Sequence, residues 1–157
     1  MRTTVLAGVW MASAAAVIGL AAPAQACGGD SAVNLTLTDE VRTELVESGT
    51  TLTGFPASEF TGLRPGRSYY GYDVESDMYW ATGTLWGPKS FDAAVMVQDQ
   101  NSYMIFHKSG DPKATWVPIA AGFGPISMGE APCPIPESVR DVWDWETGKC
   151  YPPPSAS

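Results

Sequence analysis

Arg67-Ser-Tyr-Tyr-Gly-Tyr-Asp-Val-Glu-Ser-Asp-Met-Tyr-Trp-Ala-Thr-Gly-Thr-Leu-Trp86 is the stretch that decides the fold. It reads as two β-strands joined by a short acidic turn near Glu75-Ser-Asp77. Aromatic rings suit a pleated, half-buried surface, and aromatic pairs across strands hold hairpins together. Tyr70 and Tyr72 share a face of the first strand, and Met78, Trp80 and Trp86 share a face of the second. Tyr69 and Tyr79 point to the opposite sides of their strands. One aromatic set must enter the core. The other is free to form a platform that stacks on sugar rings or docks a protein. Tyr70, Tyr72, Trp80 and Trp86 are therefore the candidate binding residues.

Working outward, Leu37, Val41 and Leu45 recur at helical spacing, with Val46 beside them. Thr38 suits an N-cap, Asp39 and Glu40 fall in the positive first turn, and Gly49 suits a stop. This predicts one helix packed on the sheet. Residues 50–66 carry turn chemistry. Beyond Gly87-Pro-Lys89, the alternation of Phe91, Ala93, Val95 and Val97 predicts a third strand over 91–98. A turn at Asp99-Gln-Asn101 follows, then a fourth strand over 102–108. A short fifth strand over 115–119 is confined to an edge by Pro118. Pro134 and Pro136 lead into a short helix over about 137–145 that ends at Gly148.

The expected class is α+β. It has an antiparallel meander of four or five strands, one packed N-terminal helix and a short, disulfide-tied C-terminal helix. Residues 1–26 read as a signal peptide, 27–36 as a linker, 37–150 as a single domain, and 151–157 as a disordered tail. The leader has Arg2, an uncharged apolar run over Val5–Leu20, and an Ala-x-Ala site at Ala24–Ala26. That run is short for a membrane span.

The chain carries −8 over 157 residues, and loss of the leader with Arg2 makes the remainder more acidic. Nucleic acid is an unsuitable partner for such a surface. Export allows a disulfide, and Cys133 and Cys150, flanking one compact segment, are the natural pair. Cys27 then opens the mature chain, where a bacterial lipoprotein is acylated. Secretion is the main expectation, and membrane attachment follows only if Cys27 is lipidated.

Several of these residues are similar to a group of small exported actinobacterial proteins. They are Leu37-Thr-Asp-Glu-Val-Arg42, Phe60-Thr-Gly-Leu-Arg-Pro-Gly66, Tyr69-Tyr-Gly-Tyr-Asp73, Tyr79-Trp-Ala81 and Val97-Gln-Asp99. The resemblance implies a bacterial envelope setting. It implies no activity and no site.

Catalytic chemistry finds little support. Gly29-Asp-Ser31 resembles the start of a lipolytic Gly-Asp-Ser-Leu motif, but Ala32 replaces the leucine and no strand is expected before it. His107 is the sole histidine, so any Ser-His or Cys-His pair must use it. Asp73, Glu75 and Asp77 alternate as in a calcium loop, yet Met78 and Thr84 stand where an EF-hand needs Gly and Glu. No cofactor and no metal are called for. Asp141, Asp144 and Glu146 lie near Trp143 and Trp145, the company a sugar site keeps. The leading expectation is a non-enzymatic binding module for a protein or cell-wall glycan. The rival is a secreted, glycosidase-like hydrolase using paired carboxylates.

Overall fold

The computed structural model describes residues 31–99, 102–122, 126 and 129–153. The leader, Cys27, Gly29, Asp30, the tip of the turn at 100–101 and the last four residues lie outside them.

The hairpin forms as expected. Strand β3 (Tyr69–Asp73) pairs antiparallel with β4 (Met78–Trp86), with Tyr70 opposite Ala81 and Tyr72 opposite Tyr79. Strand β5 (Tyr103–Ser109) lies on the other side of β4, and β6 (Val117–Ala120) pairs with β5 at the sheet edge. Pro118 thus sits on an edge strand, where a missing N–H is tolerated.

Two further strands were not expected. β1 (Ala32–Asn34) runs antiparallel to β3 at the opposite edge, so part of the predicted linker belongs to the sheet. Gly62 and Leu63 form the two-residue β2, which pairs with the end of β4. Neither strand has a periodicity of its own to read. Each is made by pairing with a longer neighbour.

The expected third strand is a helix. α2 (Phe91–Asp99) opens at Ser90, whose hydroxyl accepts from Ala93 N–H at 3.3 Å. Ala93 and Met96, one helical turn apart, are buried, while Phe91 is 81 % exposed. The alternating pattern failed because its supposedly outer residues included Ala94 and Met96, which are apolar too. The inward set is therefore fixed by a 3.6-residue period and not by a period of two.

α1 (Asp39–Thr50) starts at Thr38, whose hydroxyl accepts from Val41 N–H at 3.3 Å. Gly49 does not stop this helix but lies inside it. A Cβ there would come within 2.8 Å of Met104 Sδ and 3.3 Å of Phe106 Cζ, so the bare backbone lets α1 sit down on β5. Leu45 and Val46 of α1 join Ala81, Leu85, Phe106, Ala93 and Met96 in a core on one side of the sheet.

The other side carries a second core. α3 (Glu137–Val142) packs on β1 and β3. Trp80, Ile105, Ile135, Val139, Trp143 and Trp145 fill this layer. The disulfide joins Cys133 to Cys150 with Cα atoms 5.3 Å apart. The first tail residues run back along the domain, where Arg67 donates to the Pro153 carbonyl at 3.4 Å. Among the described residues no helix is long and apolar enough to cross a membrane.

Candidate functional site

The four aromatic candidates do not form one platform. The pairing register turns Tyr70 and Tyr72 to the α1 side of the sheet, and Trp80 to the α3 side. Trp80 is only 8 % exposed and packs 5.5 Å from the ring of His107. Trp86 is 45 % exposed at the end of β4, with the Arg64 guanidinium 5.1 Å from its ring centre. Alternation within each strand is readable from sequence. Which face of one strand meets which face of the next depends on register.

That register builds a different site. Val33 of β1, Tyr72 of β3, Tyr79 of β4 and Lys108 of β5 stand side by side across four strands. Three strand spacings make this row roughly 14 Å wide. α1 covers the neighbouring part of the same face, over Ala81, Leu85 and Phe106, and leaves the row beside it open. Val33 is 44 % exposed, and Tyr70, Tyr72 and Tyr79 are half-buried.

The rings support one another. Tyr72 and Tyr79 lie 4.8 Å apart at 43°, and Tyr70 stacks on Tyr79 at 5.9 Å and 28°. Tyr70 meets the buried Trp116 edge-on at 6.0 Å. Tyr79 is thus flanked by Tyr70, Tyr72 and Lys108, whereas among the described residues Tyr72 meets one ring, that of Tyr79. Lys108 Nζ sits 5.6 Å from the Tyr79 ring centre and 5.0 Å from that of Trp116. Its charge is matched by Glu44 Oε2 at 3.8 Å, and the same oxygen accepts from Trp116 Nε1 at 2.9 Å.

At the other end of the row, Tyr72 donates its hydroxyl hydrogen to Asp77 Oδ1 at 2.7 Å. This bond, with burial and nearby acids adding to it, raises the Tyr72 pKa. Burial, then Tyr79 and Glu44, raises that of Tyr70. Both phenols therefore remain neutral donors at physiological pH.

The hairpin tip fixes this geometry. Asp73 is buried and accepts from Ser76 N–H at 3.2 Å, from the Ser76 hydroxyl, and from the Ser138 hydroxyl at 3.2 Å. Asp77 adopts φ 52°, and its carbonyl accepts from Gly110 N–H at 2.8 Å. Asp73 and Asp77 are therefore turn-builders, and Glu75 between them is exposed. Among the described residues no group of three or more His, Cys, Asp or Glu could hold a metal ion.

The other candidates disperse. Trp143 and Trp145 are buried against Tyr69, at 5.7 and 5.4 Å, whereas Asp141, Asp144 and Glu146 are exposed. Those rings are core residues that also face each other at 5.1 Å. His107 is half-buried against Trp80, and Ser31 is exposed just before β1. A cleft of about 420 Å³ adjoins the row, lined by Glu44, Glu47, Ser48, Thr51, Trp116 and Pro118 among others. Its Glu44 is already held by Lys108 and Trp116.

Sequence reading missed Val33, Glu44, Lys108 and Trp116, and left Tyr79 out of the candidate set although it placed that ring opposite Trp80 on its strand, as observed. Only the Tyr72–Tyr79 pairing was recoverable, by taking residues 74–77 as a four-residue turn. No family model matches the chain, and neither the curated proteins nor the solved structures include a significant match.

Proposed function

We propose that this chain is an exported, non-enzymatic binding module acting at or outside the cell envelope, with the Val33–Tyr72–Tyr79–Lys108 row as its docking surface. The observation that carries the reading is this rigid, aromatic strip left open beside α1. Tyrosines with few rotatable bonds offer large contact area at low entropic cost. A protein partner fits better than a glycan, because the row sets an apolar Val33 and a charged Lys108 beside rings tilted against one another, a mixed surface that suits side chains better than a flat sugar face. Export is supported by the leader and by the disulfide, which persists in oxidising compartments. Secretion in free form is the reading for location, with a lipid anchor at Cys27 as the alternative. Mass spectrometry of the purified N-terminus separates the two. The hydrolase reading has lost its aromatic company at Trp143 and Trp145.

The test immobilises the mature chain and passes over it a protein extract of the exporting cell's envelope and, separately, its purified wall glycan. Retention of a defined protein by the wild type, roughly tenfold weaker in the Tyr72→Ala/Tyr79→Ala variant and unchanged in Trp86→Ala, supports the reading. Retention of glycan alone, or release of reducing sugar, refutes it.

A further inference from the structure

The two ends of the row differ in one respect. At the Lys108 end, rings, a cation and a carboxylate form a closed set: Lys108 lies over Tyr79 and Trp116 and is paired with Glu44. At the Tyr72 end the ring and the carboxylate are present, as Tyr72 and Asp77. Among the described residues no Lys or Arg lies over the Tyr72 ring. Glu75 and Asp77 are exposed there, and Asp111 is exposed in the β5–β6 turn, whose Gly110 is bonded to Asp77. Val33, directly across from Tyr72, adds an exposed apolar neighbour.

We infer that the Tyr72 end is a receptor for a cationic side chain of a protein partner. An Arg or Lys lies against Tyr72 with its charge toward Asp77, and an adjoining apolar residue covers Val33. The inference deepens the docking reading above and rests on it. Its physical basis is the ring quadrupole, which attracts a cation most when the site is partly dried by a partner. The acidic rim supplies the complementary sign and speeds encounter. The Asp77 carboxylate is already held by the Tyr72 hydroxyl, and the Gly110 amide fixes the Asp77 backbone carbonyl, so the side chain needs little reorganisation to accept a charged donor. Arginine fits better than lysine, because a planar guanidinium can stack on a ring while its edge donates to a carboxylate.

An acidic protein collects any polycation, so the test reads where a probe binds and whether its charge matters. The probe is the peptide acetyl-Arg-Val-Arg-Leu-amide, titrated into the mature, disulfide-bonded protein and followed by amide chemical shifts. Its control carries citrulline in place of both arginines, which keeps shape and removes charge. The expected result is shifts centred on Val33, Tyr72, Asp77 and Tyr79, and affinity at least roughly tenfold weaker for the citrulline peptide. Asp77→Asn, which tolerates the same left-handed backbone, weakens the arginine peptide to a similar degree. Trp86→Ala leaves it unchanged.

Equal binding of the two peptides, or shifts centred instead on the exposed Asp39, Glu40 and Glu47 of α1, overturns the inference. Either outcome leaves the docking reading intact if the envelope protein still depends on Tyr72 and Tyr79. Loss of that dependence removes the docking reading itself.

Discussion

Gly71 shows how a single residue couples the two faces of the sheet. Tyr70 and Tyr72, its neighbours, point into the aromatic row, while its own missing side chain leaves room on the opposite face. A Cβ there would meet Trp143 Nε1 at 3.1 Å, the Val33 carbonyl at 3.2 Å and Val139 Cγ1 at 3.3 Å. Gly71→Ala is expected to cost about 1–3 kcal/mol through overpacking. A lower urea midpoint with an unchanged slope would show it; an unchanged midpoint would mean that α3 moves aside freely. Tyr103 makes a second residue-scale case. Burial holds its phenol well above the ordinary value of 10.0, and its hydroxyl donates to the Cys150 carbonyl at 3.4 Å. The folded state therefore keeps a proton that the unfolded chain releases. Its stabilising contribution is complete below about pH 10 and is lost progressively as pH rises beyond it. Thermal unfolding measured from pH 8 to 11 should show a falling Tm above pH 10, with a shallower fall in Tyr103→Phe. Tyr70, also raised by burial, leaves a residual slope in the variant. Parallel curves for the two proteins would count against this account.

Among the elements, α2 marks where sequence reading reached its limit. The hairpin and α1 were legible because each has an unambiguous local pattern: aromatic residues broken by a turn, and an apolar stripe behind a threonine cap. Residues 91–98 have no such pattern, since apolar residues fall on both parities. Packing decided the matter by burying Ala93 and Met96 and leaving Phe91 and Val95 outside. The capping signal at Ser90 was present but overlooked. Ser90→Ala is expected to destabilise by about 1 kcal/mol, the usual cost of losing an N-cap. Faster hydrogen exchange at the first-turn amides of α2 should accompany the loss. Unaltered stability would mean that tertiary contacts alone hold the helix. The short strands were illegible for a different reason. Ala32–Asn34 and Gly62–Leu63 become strands only because β3 and β4 supply their hydrogen-bonding partners. Val33, and with it one end of the proposed site, was hidden for the same reason.

Across the whole molecule, the disulfide connects the C-terminal segment to the docking row through β1. Cys133–Cys150 closes a segment of sequence separation 17 that contains α3, Trp143 and Trp145. α3 packs on β1, and β1 carries Val33. Arg140 reinforces the closure by donating to the carbonyls of Ile135 and Lys149, each at 3.2 Å. In the chain-entropy account, opening a loop of this size costs about 3 kcal/mol. The two cores need not fail together, because among the described residues the core under α1 draws none from beyond Trp116. In the Cys133→Ser/Cys150→Ser protein, α3 and β1 are therefore expected to open in a sub-global step. Their amides should lose protection while those in the centre of β4 and β5 remain slow. Tryptophan emission should shift to the red as Trp143 and Trp145 meet water. Partner binding should weaken even though Tyr72, Tyr79 and Lys108 are untouched, because Val33 leaves the row with β1. Uniform loss of protection across both sides of the sheet would instead make the domain one cooperative unit. Unchanged binding in a protein with an open α3 would detach Val33 from the docking surface.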